Sequence, residues 1–101
     1  MPAYIIAYRE SPVRDEASDA EYTRHNQENA ADFHARFGIR PLAVYGKSEA
    51  PEGTKPDGVV ILEFPTYGDA KSWYESPAYQ RIIPLREKAA EWRVVIVEGL
   101  T

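Results

Sequence analysis

The chain contains no cysteine, and that absence alone removes a set of chemistries. Disulfides, thiolate metal sites, iron–sulfur clusters and cysteine nucleophiles are excluded. An excess of positive charge is missing too. Twelve Lys and Arg stand against 16 Asp and Glu, a formal charge of −4. No Lys/Arg cluster breaks that balance locally, so a nucleic-acid backbone, which needs a basic surface, is not an expected partner. No apolar run approaches the roughly 20 residues of a membrane span, and no membrane role is expected. Met1-Pro2-Ala3-Tyr4 leads into a strand pattern without a charged leader, which makes the cytoplasm the expected compartment. Nucleophile elbow, phosphate-binding glycine loop and dinucleotide fingerprint are all lacking. There are two histidines, His25 and His34. Their separation is not the i, i+4 spacing that puts two imidazoles on one ion. Glu21 and His25 have that spacing, but one pair makes a poor site. Neither a metal nor another cofactor is expected.

What is present reads as one small α+β domain over residues 1–101. Ala3 to Tyr8 is short and apolar and ends at Arg9-Glu10, as a strand would. Ser18-Asp19-Ala20-Glu21 has capping-box spacing, which predicts a helix from there to Phe37 with Gly38 as its left-handed cap. Arg40 to Tyr45 reads as a second strand, with Pro41 marking an edge or an irregular entry. Residues 46–57 form a loop. Val59-Val60-Ile61-Leu62-Glu63-Phe64 is the third strand. Thr66-Tyr67-Gly68-Asp69 opens a short helix through Tyr74. Ser76-Pro77 starts another, with Ser as cap and Pro at the first helical position. Pro84 must break or kink that helix before it resumes through Ala90. Arg93 to Glu98 is the fourth strand.

The order βαββαβ is the ferredoxin-like plan, a four-stranded antiparallel sheet with helices on one face. The third and fourth strands are apolar at consecutive positions rather than alternating ones. Helices on one face leave about half of those side chains facing water, an aggregation hazard for a monomer. A second copy of the sheet is the economical cover, which predicts a homodimer packed face to face.

Several segments together resemble the domain-of-unknown-function family 1330: Met1-Pro2-Ala3-Tyr4, Leu62-Glu63-Phe64-Pro65, Trp73-Tyr74, Ser76-Pro77-Ala78-Tyr79-Gln80, Pro84-Leu85-Arg86 and Val97-Glu98-Gly99. The resemblance covers nearly the whole chain. It implies the dimeric α/β-barrel arrangement, with two ferredoxin-like sheets forming a barrel and a pocket in each subunit between sheet and helices. Phe37-Gly38-Ile39 stands where such proteins usually carry a histidine and paired glycines, and Tyr45-Gly46-Lys47 replaces a second glycine-rich turn. A ligand site shaped by those turns would differ in this chain. Cofactor-independent oxygenases, lactone isomerases and haem-degrading enzymes share the wider superfamily, and the fold does not choose among them.

The candidate site residues are polar or aromatic groups on apolar stripes. At about 100° per residue, Tyr22, Asn26, Asn29, Ala30, Phe33 and Phe37 share one face of the first helix. A buried amide such as Asn26 needs a partner, either a ligand or a backbone carbonyl or water. Arg86 sits on the side of Ile82, Leu85 and Ala89. It would either clamp a substrate carboxylate or pair internally with Glu63 or Glu98. Glu63 in a poorly solvated pocket would have a raised pKa and could act as a base. Trp73, Tyr74 and Tyr79 form core or an aromatic wall. Tyr22, Asn26, Glu63, Trp73 and Arg86 are therefore the ligand-binding candidates. The expected function is a cytoplasmic homodimer binding a small organic or carboxylated ligand. The alternatives are a cofactor-independent monooxygenase or isomerase, and a structural or regulatory dimer without a ligand.

Overall fold

Runs of β-branched residues set the sheet, because such side chains pack well on a pleated surface. The computed structural model describes residues 1–100. Its strands are β1 (Ala3–Arg9), β2 (Arg40–Val44), β3 (Gly58–Phe64) and β4 (Trp92–Glu98), and its helices are α1 (Glu16–Phe37), α2 (Tyr67–Glu75), α3 (Pro77–Gln80) and α4 (Ile83–Ala89). The sheet order is β2-β3-β1-β4 with every neighbour antiparallel. This is the ferredoxin-like α+β fold, with the second helix divided into three pieces. The strands reach one residue beyond the sequence limits at Arg9, Gly58 and Trp92, since Arg9 pairs with Gly58 on one side and Trp92 on the other. β2 is an edge strand, so the missing amide of Pro41 removes no bond from the interior of the sheet. A register shift between Pro41 and Ala43 absorbs the irregularity.

The first helix begins earlier than its capping-box spacing predicts. Asp15 is the N-cap, and its side chain accepts from the Ser18 amide at 3.0 Å. A carboxylate meets both needs of a helix start, an acceptor for a free amide and negative charge at the positive end of the dipole. The Ser18 amide holds the Asp15 carboxyl below its ordinary pKa; desolvation opposes it, and the nearby Lys88 adds a smaller lowering. Glu21 does not reach back to a cap; it lies 3.6 Å from Arg24 and 3.9 Å from His25. The other helix signals hold. Thr66 accepts from Asp69 N at 3.0 Å. Ser76 accepts from Tyr79 N at 3.3 Å and donates to Trp73 O at 2.7 Å. Pro84 falls in the first turn of α4, where a missing amide is harmless, so the chain ends α3 and restarts rather than kinking one helix.

Opposed residues in an antiparallel pair share a face, and the register sorts the strands into two sets. Ala3, Ile5 and Ala7 oppose Phe64, Leu62 and Val60 on one side and Glu98, Ile96 and Val94 on the other. This set faces the helices. Phe64, Ala3 and Ile5 are essentially inaccessible there, packed with Phe33, Trp73 and Tyr79. Tyr4, Ile6 and Tyr8 with Glu63, Ile61 and Val59, and with Val97, Val95 and Arg93, make up the opposite face. No helix covers it, and Val95 and Val97 are exposed.

Gly38 closes α1 at φ 68°, donating from its amide to His34 O at 2.9 Å. A Cβ added there would lie 2.5 Å from Pro65 Cγ. Gly53 also has positive φ, 80°, but an added Cβ would meet nothing. Gly53→Ala is expected to cost about 1 kcal/mol, the left-handed penalty alone. Gly38→Ala should lose roughly twice as much or more, read from urea midpoints. Equal losses would show that Pro65 yields freely.

Candidate functional site

α1 crosses the helix-facing side of the sheet without closing on all of it, and a cavity of about 470 Å³ remains between them. That volume lies within the range of small-molecule sites. Ile5, Ala7, Val60, Leu62 and Val94 make its floor, and Tyr22, Asn26, Ala30 and Phe33 make the wall contributed by α1. Pro41, Val44 and Tyr45 are exposed and mark the open side. Tyr45 has φ 55°, uncommon for a residue with a side chain. Its ring lies over Gly58, where a Cβ would come within 2.7 Å, and under the Arg9 guanidinium at 5.3 Å. Although the residue is exposed overall, partial desolvation pushes the Tyr45 phenol pKa up.

The polar groups gather around Tyr79. Its hydroxyl is 2.6 Å from the Tyr22 hydroxyl, and its ring lies 4.1 Å, centroid to centroid, from Trp73. Burial pushes the Tyr79 phenol well above the usual tyrosine range, with the neighbouring Tyr22 adding to the shift and Arg86 opposing it. Tyr79 therefore stays protonated at any physiological pH. Arg86 continues the buried stripe of α4, three residues from Ile83 and three from Ala89, and only 8% of it is accessible. Its Nη1 lies 3.5 Å from Tyr79 Oη, a long contact, and its Nε has no partner. The indole N–H of Trp73 is also buried without an acceptor.

Four of the five sequence candidates, Tyr22, Asn26, Trp73 and Arg86, thus line one cavity. Glu63 does not. It lies on the uncovered face and pairs with Arg40 at 2.8 Å. The Arg86–Glu63 pair, one of the alternatives for Arg86, is not formed because one strand position separates the two faces: Leu62 reaches the cavity, Glu63 cannot. Glu98 makes no ion pair with Arg86 either. Asn29 donates to a backbone carbonyl, His25 O at 2.9 Å, whereas Asn26 lines the cavity. Among the described residues no Asp, Glu or Lys lines this space, and no three metal-ligating side chains come together anywhere. Trp92 and His34 also border it. Neither was distinguishable in the sequence, since which strand end and which helix flank meet the cavity depends on how α1 crosses the sheet.

A buried cation without an anion is costly. Arg86→Met keeps most of the volume and removes the charge. It is expected to raise the melting temperature of the ligand-free protein by a few degrees, by calorimetry. A fall of similar size would mean that Arg86 is a structural element of the core.

No protein of curated function matches the chain. Among solved structures, a dimeric ferredoxin-like protein of unknown function from Jannaschia sp. CCS1 superposes with TM-score 0.70 at 14% identity, covering 98% of this chain and 100% of that one. A dimeric protein of unknown function and ferredoxin-like fold from Bacteroides fragilis NCTC 9343 gives 0.57 at 18% identity, covering 97% and 96%. A candidate antibiotic biosynthesis monooxygenase from Nitrosomonas europaea gives 0.64 at 17%, covering 98% and 90%. At such identities the likeness establishes the fold. The family model described as a domain of unknown function, DUF1330, matches residues 2–100, and the chain belongs to that family.

Proposed function

We propose that this protein binds a small organic anion, an apolar body carrying one carboxylate or comparable acidic oxygen, in the cavity between α1 and the sheet. One observation carries the reading. Arg86 is nine-tenths buried beside a cavity that, among the described residues, has no acidic side chain, and none of their carboxylates pairs with it. A guanidinium has five donors and no acceptor, so its natural complement is an oxyanion. The remaining walls are aliphatic and aromatic and suit the rest of such a molecule. Asn26 adds an amide that can accept or donate at the same wall.

The working unit of this proposal is a cytoplasmic homodimer formed through the uncovered sheet face. Tyr4, Ile6, Val59, Ile61, Val95 and Val97 give that face an apolar centre, while the Arg40–Glu63 and Arg93–Glu10 pairs supply charges beside it. An apolar centre with polar surroundings is the anatomy of a protein interface. The Jannaschia and Bacteroides neighbours are described as dimers.

The Nitrosomonas neighbour favours a second reading, cofactor-independent oxygenation of the bound anion. Arg86 and Tyr22 would then stabilise negative charge on an electron-rich substrate. Glu63 has no part in that chemistry, being on the wrong face. Oxygen uptake on addition of a bound phenolic acid would favour this reading over simple binding.

Two measurements test the proposal. A library of small monocarboxylates is expected to contain compounds that raise the melting temperature of the parent by roughly ten degrees at about 100-fold excess over Kd, where linkage gives about 2.7 kcal/mol. The same compounds should leave Arg86→Met unshifted. Equal shifts in both proteins would remove Arg86 from the site. Light scattering at micromolar concentration should give the mass of two chains, and Ile61→Lys should give one. A parent with the mass of one chain would refute the dimer.

A further inference from the structure

We infer that the Tyr22 hydroxyl is the donor that orients the bound anion, its proton turned outward by a hydrogen-bond sequence that begins at Arg86. The inference rests on the anion-binding reading of the same cavity and adds to it the identity and direction of a second recognition group.

Arg86 can only donate. Its Nη1 lies 3.5 Å from Tyr79 Oη. Even as a weak hydrogen bond, that approach places a full positive charge beside the oxygen, so the Tyr79 lone pair faces Arg86 and its proton turns away. Tyr22 Oη is 2.6 Å from Tyr79 Oη. At that separation one proton, and only one, lies between the two oxygens. Were it the proton of Tyr22, Tyr79 would accept from both sides and its own O–H would be left in the core without an acceptor. Tyr79 borders the cavity but is only 3% accessible, so water has little access to relieve that arrangement. The consistent order is Arg86 to Tyr79 to Tyr22. Tyr22 then accepts from Tyr79, and its own O–H has no acceptor within this sequence.

Tyr22 is half-buried and lines the cavity. Its free proton and the remaining N–H groups of Arg86 serve the same polar end. That end is a pair of donors with no acidic residue nearby to accept from a ligand. It suits an acceptor-only group, a carboxylate or the anion of an acidic enol or phenol. A carboxamide would place its NH2 against donors on one side.

The test is isothermal titration of the parent, Tyr22→Phe, Tyr79→Phe and Arg86→Met with a panel of aryl and alkyl monocarboxylates, 3-phenylpropanoate among them, and the matching carboxamides. Tyr22→Phe keeps the ring and should fold unchanged. It is expected to weaken carboxylate binding by about tenfold or more, the usual effect of a hydrogen bond to a charged group. Carboxamide binding should weaken severalfold less. Tyr79→Phe leaves the Tyr22 donor in place and should weaken the carboxylates less than Tyr22→Phe does. Parent-like carboxylate binding by Tyr22→Phe, with binding lost in Arg86→Met, would overturn this inference and leave the anion reading intact. A larger loss in Tyr79→Phe than in Tyr22→Phe would overturn it as well, since Tyr79 would then be the donor. A parent that binds no member of the panel would overturn both.

Discussion

Side chains alternate between the two faces of a strand, and directly opposed residues of antiparallel neighbours share a face. With β1 in the middle of the sheet, one register therefore assigns almost every strand residue at once. Ile5, Leu62 and Ile96 go toward the helices together, and Ile6, Ile61 and Val95 go to the other side together. A slip of one residue would put Glu63 under α1 and Phe64 in water. Phe64 is fully buried against Trp73, with ring centroids 5.7 Å apart. The cost of withdrawing that ring makes the register secure, and the cavity floor, the core and the uncovered face all follow from it.

Strand and helix order could be read from the sequence because the signals are local. A Ser or Thr three residues before the amide it accepts from, a glycine after Phe37 and a proline in an edge strand each act within a few positions. The first helix shows the limit of such signals, since Asp15 and Ser18 both stand where a cap could be. The carboxylate takes the position, and Lys88, 73 residues further along the chain, lies 3.5 Å from it. The candidate site was legible in the same measure. Tyr22 and Asn26 could be placed by helical spacing, and Arg86 by its presence on an apolar stripe. Glu63 could not be excluded, because a strand apolar on both faces carries no alternation to tell one side from the other. Nor was the Tyr22–Tyr79 contact legible; it joins residues 57 positions apart, one on α1 and one on α3.

The cavity holds groups that a core built for stability alone would not contain. The Arg86 Nε and Trp73 Nε1 atoms are buried without acceptors, and each such donor costs about 1–3 kcal/mol relative to a satisfied one. In a domain of this size, where total stability is roughly 5–15 kcal/mol, two such losses are a large fraction. Natural proteins tolerate such costs where function needs them, and Tyr45, at positive φ, stands beside the same cavity. Arg9 Nε, outside the cavity lining, is a further buried donor without an acceptor, but Arg86, Trp73 and Tyr45 all border the one space, a concentration that supports the proposed binding site.

Under the proposed function, a single-layer sheet would make the site depend on assembly. Val60 and Leu62 are floor residues, while Val59 and Ile61 between them point to the uncovered face. Under the proposed pairing, any shift of β3 against a partner sheet moves the cavity floor by the same amount, because no second layer separates them. Side chains in a close-packed interface resist such displacement. The partner would therefore hold the geometry in which Leu62, Tyr22 and Arg86 surround one ligand. Pairing of the two sheets is then part of the binding site's construction, even where the partner contributes no atom to the cavity.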